Sequence, residues 1–291
     1  MTDNDRKKTI DSWHTRADAY EILIGQYQIF TDMAMYMIRF VEKHRRNNIE
    51  NVHIMDLAAG TGLISKLLIK HLHISPSSIY LIEPAEQMCI NARNHIKTPH
   101  IYQSSAEDCL SLSNIPRDYF DFILCNASMH LMSEDNIYPI VAKLLKPKTG
   151  YFLYTLWYHA FDETQNYEKD EEFEKSINEV LTSFDYPKYF SRDVTRKSIT
   201  HRSRKYLEDI AEKNGLKLES CTIEIYRTPM SFDLDFILMT PNWLIEHLKT
   251  YEWTQKQSNQ YMKEQIVEKV RNLIKEKYND IPIVQIVVSR V

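Results

Sequence analysis

Two carboxylates flank the one turn in the chain where two glycines stand close together. Asp56 lies near the end of the apolar run Val52–Leu57, and Glu83 follows a second run, Ile79–Ile82, 21 residues beyond Gly62. After Asp56 come Ala58, Ala59, Gly60, Thr61 and Gly62, then apolar residues at 63, 64, 67, 68 and 69. That spacing predicts strand, tight turn and helix. The chain has only five glycines, and two are spent here, where a backbone must bend sharply and a ligand can approach main-chain N–H groups. Glu83 offers two oxygens at roughly the spacing of a cis diol, the arrangement that grips a ribose. The plainer readings are a turn needed for packing and an acid at the entry of the helix that Pro84 opens.

The ligand class follows from charge. A dinucleotide fingerprint requires G-x-G-x-x-G, but Ser65 stands at the third position, and Asp56 would place negative charge beside a pyrophosphate. S-adenosylmethionine has no phosphate, and its ammonium and sulfonium tolerate a nearby carboxylate. D-L-A-A-G-T-G resembles motif I of the class I S-adenosylmethionine-dependent methyltransferases, D/E-x-G-x-G-x-G, with Ala58 at the first glycine. The resemblance implies that Asp56, Ala58, Gly60, Thr61, Gly62, Glu83, Pro84 and Met88 hold this cofactor. It also implies that the loop S-S-A-E-D reads adenine through Ser105, Ala106 or Glu107, with Ser105 where the family often has an acid; Asp108 reads equally as a turn cap. Tyr20, in W-H-T-R-A-D-A-Y-E, matches the family's lid helix, where an aromatic often closes over the cofactor; Tyr20 and Trp13 read equally well as packing residues.

The elements that must position these groups recur along the chain. Helical spacing from Arg6 to Arg46 predicts two helices broken near Gly25, and His100–Gln103 and Tyr119–Cys125 are further strands. N-A-S-M-H-L-M leaves the tip of the latter and resembles the family's fourth motif. In an open α/β sheet that loop borders the ligand crevice, which places Asn126, Ala127, Ser128 and His130 beside the cofactor's methionine part. Asn126 and His130 are the catalytic candidates. His130 could serve as a general base with its ordinary pKa near 6.5, or pack against the cofactor. Ser133 caps a helix reaching Lys146, and L-L-K-P-x-x-G-x-F-x-Y leads into a fifth strand, again as in the family. Near the C-terminus a helix ended by Gly215 precedes an alternating strand, and I-P-I-V-Q-I-V-V-S-R-V is a last strand, expected antiparallel at the sheet edge.

The expected fold is therefore α/β: a Rossmann-like, seven-stranded doubly wound sheet with its last strand antiparallel. The chain divides into a helical lid (1–50), the S-adenosylmethionine-binding core (51–158), a cap insertion (159–201), a core helix and strand (202–227), a second cap insertion (228–280) and the last core strand (281–291). The caps hold the acidic cluster from Glu168 to Glu174, a charged helix from about Thr254 to Lys277 and many aromatics, among them Phe184, Tyr186, Tyr189, Phe190 and Trp243; with Tyr154, Trp157 and Tyr158 these suit a pocket for a small apolar or cationic acceptor, or simply the caps' own core.

Composition narrows the function class. In 291 residues, 43% hydrophobic, 26% charged and a net charge of −4 are ordinary for a globular protein and give no general attraction to nucleic acid. Cys89, Cys109, Cys125 and Cys221 lack C-x-x-C spacing, so neither zinc site nor disulfide framework is expected, and no other metal motif occurs. No run reaches membrane-spanning length and no secretory leader opens the chain, so a cytoplasmic location is expected, as a possible homodimer. The leading reading is a small-molecule methyltransferase acting by in-line transfer to nitrogen, oxygen or carbon. Cyclisation or cleavage of the cofactor on the same fold, releasing methylthioadenosine, and a non-catalytic binding subunit remain alternatives.

Overall fold

In the computed structural model, the structure describes residues 3–45, 52–157, 160–161, 171–184, 202–239 and 259–291. Tyr158, Tyr186, Tyr189, Phe190, Trp243 and the first part of the acidic cluster lie outside them. Seven strands form one sheet in the order β3-β2-β1-β4-β5-β7-β6. They are β1 (Ile54–Leu57), β2 (Ile79–Glu83), β3 (Ile101–Gln103), β4 (Phe122–Cys125), β5 (Tyr151–Trp157), β6 (Leu216–Pro229) and β7 (Tyr278–Arg290). The first five pair in parallel, and β7 runs antiparallel to both β5 and β6. Every residue of β1, β2 and β4 is buried, as befits central parallel strands covered on both faces, and this explains their unbroken apolar runs.

The strand order reverses at β1, which pairs with β2 on one side and β4 on the other. A crevice opens at such a reversal, at the carboxyl ends of the strands. Asp56 lies opposite Leu81 and Leu124, so Asp56, Glu83 and Asn126 all reach the same edge.

Helix α2 (Ile29–His44) turns Met37, Ile38 and Val41 onto one sheet face, joining Ile64 and Leu68 of α3 (Leu63–Leu72). The opposite face is covered by α5 (Glu134–Leu144) and α7 (Arg204–Lys213) through Ile137, Val141, Leu207 and Ile210. Helix α1 (Asp3–Gln26) crosses α4 (Glu86–His95), where Asn91 Nδ2 donates to Asp18 Oδ1 at 2.9 Å. Glu21 binds Lys66 of α3 and His95 of α4, so one side chain ties α1 to both helices. The remaining helices α6 (Glu171–Ser183), α8 (Ser231–Leu238) and α9 (Asn259–Leu273) share a separate core of Phe173, Ile177, Leu181, Leu234 and Ile266. No helix among the described residues is long and apolar enough to cross a membrane.

Three details depart from the sequence expectation. The last strand lies one place in from the edge, between β5 and β6: β7 is buried on both faces over most of its length, whereas β6 is largely exposed. The charged helix is shorter than its periodicity predicts, ending at Leu273. Ser133 stands at the cap of α5, but its hydroxyl makes no cap hydrogen bond.

The turn after β1 carries its own strain. Ala58 has φ 55°, in the left-handed region that costs a residue with a Cβ about 1–2 kcal/mol. Gly62, with φ 81°, has a second restriction: a Cβ there would lie 2.3 Å from Ile96 Cδ1. Gly62→Ala should therefore lower stability by about 2–4 kcal/mol, strain and overpacking combined. Ala58→Gly should raise it by up to about 1 kcal/mol, relief of strain exceeding the added freedom of the unfolded chain. Urea unfolding midpoints of the two variants check both signs.

Candidate functional site

The crevice at the strand reversal is a cavity roofed by α1. Asp56 stands at its base, 2% exposed, with Oδ2 accepting from Ser65 N at 3.2 Å and Ser65 Oγ at 2.7 Å. Both bonds come from the first turn of α3, and neither uses Oδ1. Glu83, 6% exposed, accepts from Gly60 N at 2.9 Å through Oε2 and from Ala85 N at 2.8 Å through Oε1. The glycine turn is thus locked to the next strand by the acid predicted to hold the diol.

Burial pushes both carboxyls up to about 7, against the opposing pull of these hydrogen bonds, and the charge of Glu83 raises Asp56 further. Among the described residues no lysine, arginine or histidine pairs with either. Two buried acids without a cation make a poor seat for phosphate and a good one for a positively charged ligand.

Tyr20 closes this end. Its ring meets Trp13 and Phe30 edge-on, at centroid separations of 5.7 and 5.5 Å. Tyr20 Cε1 lies 3.7 Å from the point where a Cβ on Gly60 would sit, so the ring covers the turn. Burial, and then the charges of Glu83 and Asp56, hold its hydroxyl well above the ordinary tyrosine range. Tyr20 thus packs among the aromatics of α1 and α2 and also lines the cavity.

Near Glu83 the cavity is lined by Pro84, Met88 and Ala106 and by Ile10 and Trp13 of α1. Ser105 borders it, but its hydroxyl donates to Asp108 Oδ2 at 2.7 Å and accepts from Asp108 N at 3.2 Å. That side chain holds the loop in shape, and Glu107 remains at the rim.

At the end of β4, Asn126 bridges three elements. Its Nδ2 donates to Phe30 O at 3.2 Å, and its Oδ1 accepts from Thr155 Oγ1 at 3.0 Å. Thr155 Oγ1 also accepts from Ala127 N at 2.8 Å, which holds Ala127 at φ 53°. Ser128 Oγ donates to Asn126 O at 3.1 Å. The Asn126 carboxamide is thus engaged in fixing the loop, while His130, on the single 3₁₀ turn Met129–Leu131, faces the cavity with Ser128.

Of the residues predicted from sequence, Tyr20, Asp56, Ala58, Gly60, Glu83, Pro84, Met88, Ser105, Ala106, Glu107, Asn126, Ala127, Ser128 and His130 all line this one cavity. Thr61 and Gly62 do not: Thr61 is 1% exposed, and Gly62, at the start of α3, packs against Ile96. Arg6, Thr9, Ile10, Phe30, Leu131 and Met132 line the cavity without having been foreseen. Arg6, Thr9 and Ile10 carry no signal in their spacing, because only the path of α1 across the crevice brings them there. Phe30 falls on the buried stripe of α2, where nothing local separates a wall residue from a core one.

Comparison with known proteins agrees with this geometry. Residues 54–148, from β1 to the turn after α5, match a methyltransferase domain family. A SAM-dependent methyltransferase of Leishmania major superposes over 97% of this chain and 82% of its own, with 13% identity and a TM-score of 0.52. A Haloferax volcanii complex of the Trm112 methyltransferase activator with a candidate methyltransferase superposes over 96% and 94%, with 13% identity and a TM-score of 0.50. Geranyl diphosphate C-methyltransferase from Streptomyces coelicolor is more distant, at 12% identity, 88% and 79% coverage and a TM-score of 0.44. No curated protein matches the sequence. Two buried acids without a cationic partner among the described residues stand beside the glycine turn inside the matched segment, and residues 54–148 carry a methyltransferase domain.

Proposed function

We propose that the enzyme methylates a small molecule whose acceptor atom, nitrogen, oxygen or carbon, enters between His130 and the aromatic wall. The observation that carries this reading is the lining of the cavity, where Phe30, Trp157, Phe236, Leu131 and Met132 stand with the polar groups of His130 and Ser128. Phe30 meets Trp157 edge-on at 5.9 Å, and Trp157 and Phe232 stack at 6.4 Å. Such a lining suits a compact, partly apolar or cationic acceptor.

The cofactor supplies a sulfonium-activated methyl group with a neutral thioether as leaving group. The chain's residues then have three tasks. Asp56 and Glu83 bind: Asp56 faces the ammonium end, and Glu83 offers each oxygen's remaining lone pair to a ribose hydroxyl. Tyr20, Trp13 and Phe30 exclude water, which keeps the cation's attraction to the two acids strong. His130 takes the proton of an acceptor that carries one, and Asn126 and Thr155 fix the loop beside it.

A charge-assisted hydrogen bond contributes about 1.5–3 kcal/mol. Asp56→Asn and Glu83→Gln should therefore each weaken S-adenosylmethionine binding about 10- to 100-fold by calorimetry; unchanged affinity in both would place the ligand elsewhere. Binding should also depend on pH. The cationic ligand favours the ionised acids, so affinity should rise between pH 6 and 8, through the value near 7 to which both carboxyls are pushed. Protons released near pH 6.5 would appear as a calorimetric heat that varies with the buffer's ionisation enthalpy. The ligand-free protein has the opposite trend: acids raised above their unfolded values contribute stability that is complete below pH 4 and is lost as pH rises through 7. Its melting temperature should fall over that range, and saturating ligand should offset the fall.

Incubation with a panel of small amines, phenols and carbon acids should release S-adenosylhomocysteine. Release of methylthioadenosine alone would mean that the cofactor itself is cleaved. For an acceptor that carries a proton, His130→Ala should lower kcat about 100-fold or more with cofactor affinity nearly unchanged.

A further inference from the structure

The loop that carries His130 is held from behind by a charge pair whose cation, Arg202, is remote from it in sequence. Arg202 and Glu134 are buried to 1% and 0% side-chain exposure, with Arg202 Nε donating to Glu134 Oε1 at 2.6 Å. Arg202 Nη2 donates to two main-chain carbonyls, Met129 O at 3.0 Å and Met132 O at 2.7 Å. These carbonyls bracket the single turn Met129–Leu131, on which His130 and Leu131 face the cavity. Met129 O also accepts from Met132 N at 3.0 Å, the bond that closes the turn, so Arg202 adds a second donor there and the donor to Met132 O. Glu134 is itself the first residue of α5, and Tyr154 of β5 donates to its Oε1 at 3.4 Å. On the other side, Arg202 immediately precedes Ser203, whose hydroxyl caps α7 by accepting from Tyr206 N at 3.1 Å.

A buried ion pair adds little net stability, since apolar groups of similar volume often do as well. What an apolar pair could not supply is one planar group that bonds both ends of a loop and the helix that follows it. We infer that Arg202, oriented by Glu134, is a positioning residue that holds the Ser128–Met132 turn at the distance from the cofactor at which His130 meets the acceptor. This rests on the acceptor reading of His130 given above. Arg202 touches neither cofactor nor acceptor; it acts through the turn.

The full-length protein saturated with S-adenosylhomocysteine tests this without an identified acceptor. In the double variant Arg202→Met/Glu134→Leu, which leaves no buried charge unpaired, amides 128–132 should exchange with solvent at least tenfold faster. The β1 and β2 amides should stay protected, S-adenosylhomocysteine affinity should stay within about threefold, and the His130 imidazole NMR signals should shift or broaden. Arg202→Lys keeps a charge opposite Glu134 but cannot reach both carbonyls. It should give an intermediate exchange rate, and it carries the test if the double variant does not fold. A folded variant with wild-type exchange at 128–132 and unchanged His130 signals, whatever its melting temperature, would overturn the proposal. Should His130→Ala leave methyl transfer intact while the exchange result stands, the acceptor reading of His130 fails and the hold of Arg202 on the turn does not.

Discussion

Asp56 and Glu83 are removed from water at neighbouring strand ends, and no cationic side chain among the described residues neutralises either. Burying a carboxylate without a counter-charge is costly, and the protein meets this cost by raising both groups' proton affinity and by giving them backbone and hydroxyl donors. The arrangement is stable yet incomplete: it is satisfied by protons in the free protein and better satisfied by a cation bearing hydroxyls. The proposed preference for a sulfonium nucleoside over a phosphorylated one rests on this single electrostatic condition.

The rest of the core supplies what that condition needs. The reversal of strand order at β1 brings the ends of β1, β2 and β4 to one edge, so the two acids and the post-β4 loop share a cavity. The first turn of α3 offers Ser65 N and Oγ to Asp56, while the bend before it offers Gly60 N to Glu83. The bend is tight enough to require left-handed geometry at Ala58, Gly60 and Gly62, and Ala127 adopts the same geometry beside the acceptor chamber. Two alanines held in this region, both on the cavity wall, place backbone strain where the ligand is to be met.

Around this rigid edge the outer elements divide the remaining work. Helix α1 is tied to α3 and α4 through Glu21, and to α4 again through Asp18, so the aromatics that roof the cavity are fixed to the helices that follow β1 and β2. Asn126 and Arg202 grip the post-β4 loop from two directions, one from α2 and β5, the other from the start of α7. Neither grip is local in sequence.

The sequence by itself determined the strand, turn and helix around Asp56, the acid at the end of β2 and the loop after β4, because each is written in consecutive residues whose apolar period and turn chemistry act over a few positions. It also determined the order of elements, since five alternations of apolar run and amphipathic helix leave few ways to wind a sheet. It did not separate a ligand-facing residue from a packing one. Thr61 and Gly62 read as binding residues and do not line the cavity, while Ser105 and Asn126 line it with side chains that also hold their loops. Arg6 and Ile10 at the cavity mouth, the place of β7 inside the edge, and the pairing of Arg202 with Glu134 were decided only by tertiary structure. Each depends on which surfaces meet across long stretches of chain, where hydrogen-bond partners are chosen by packing and no local period records the choice.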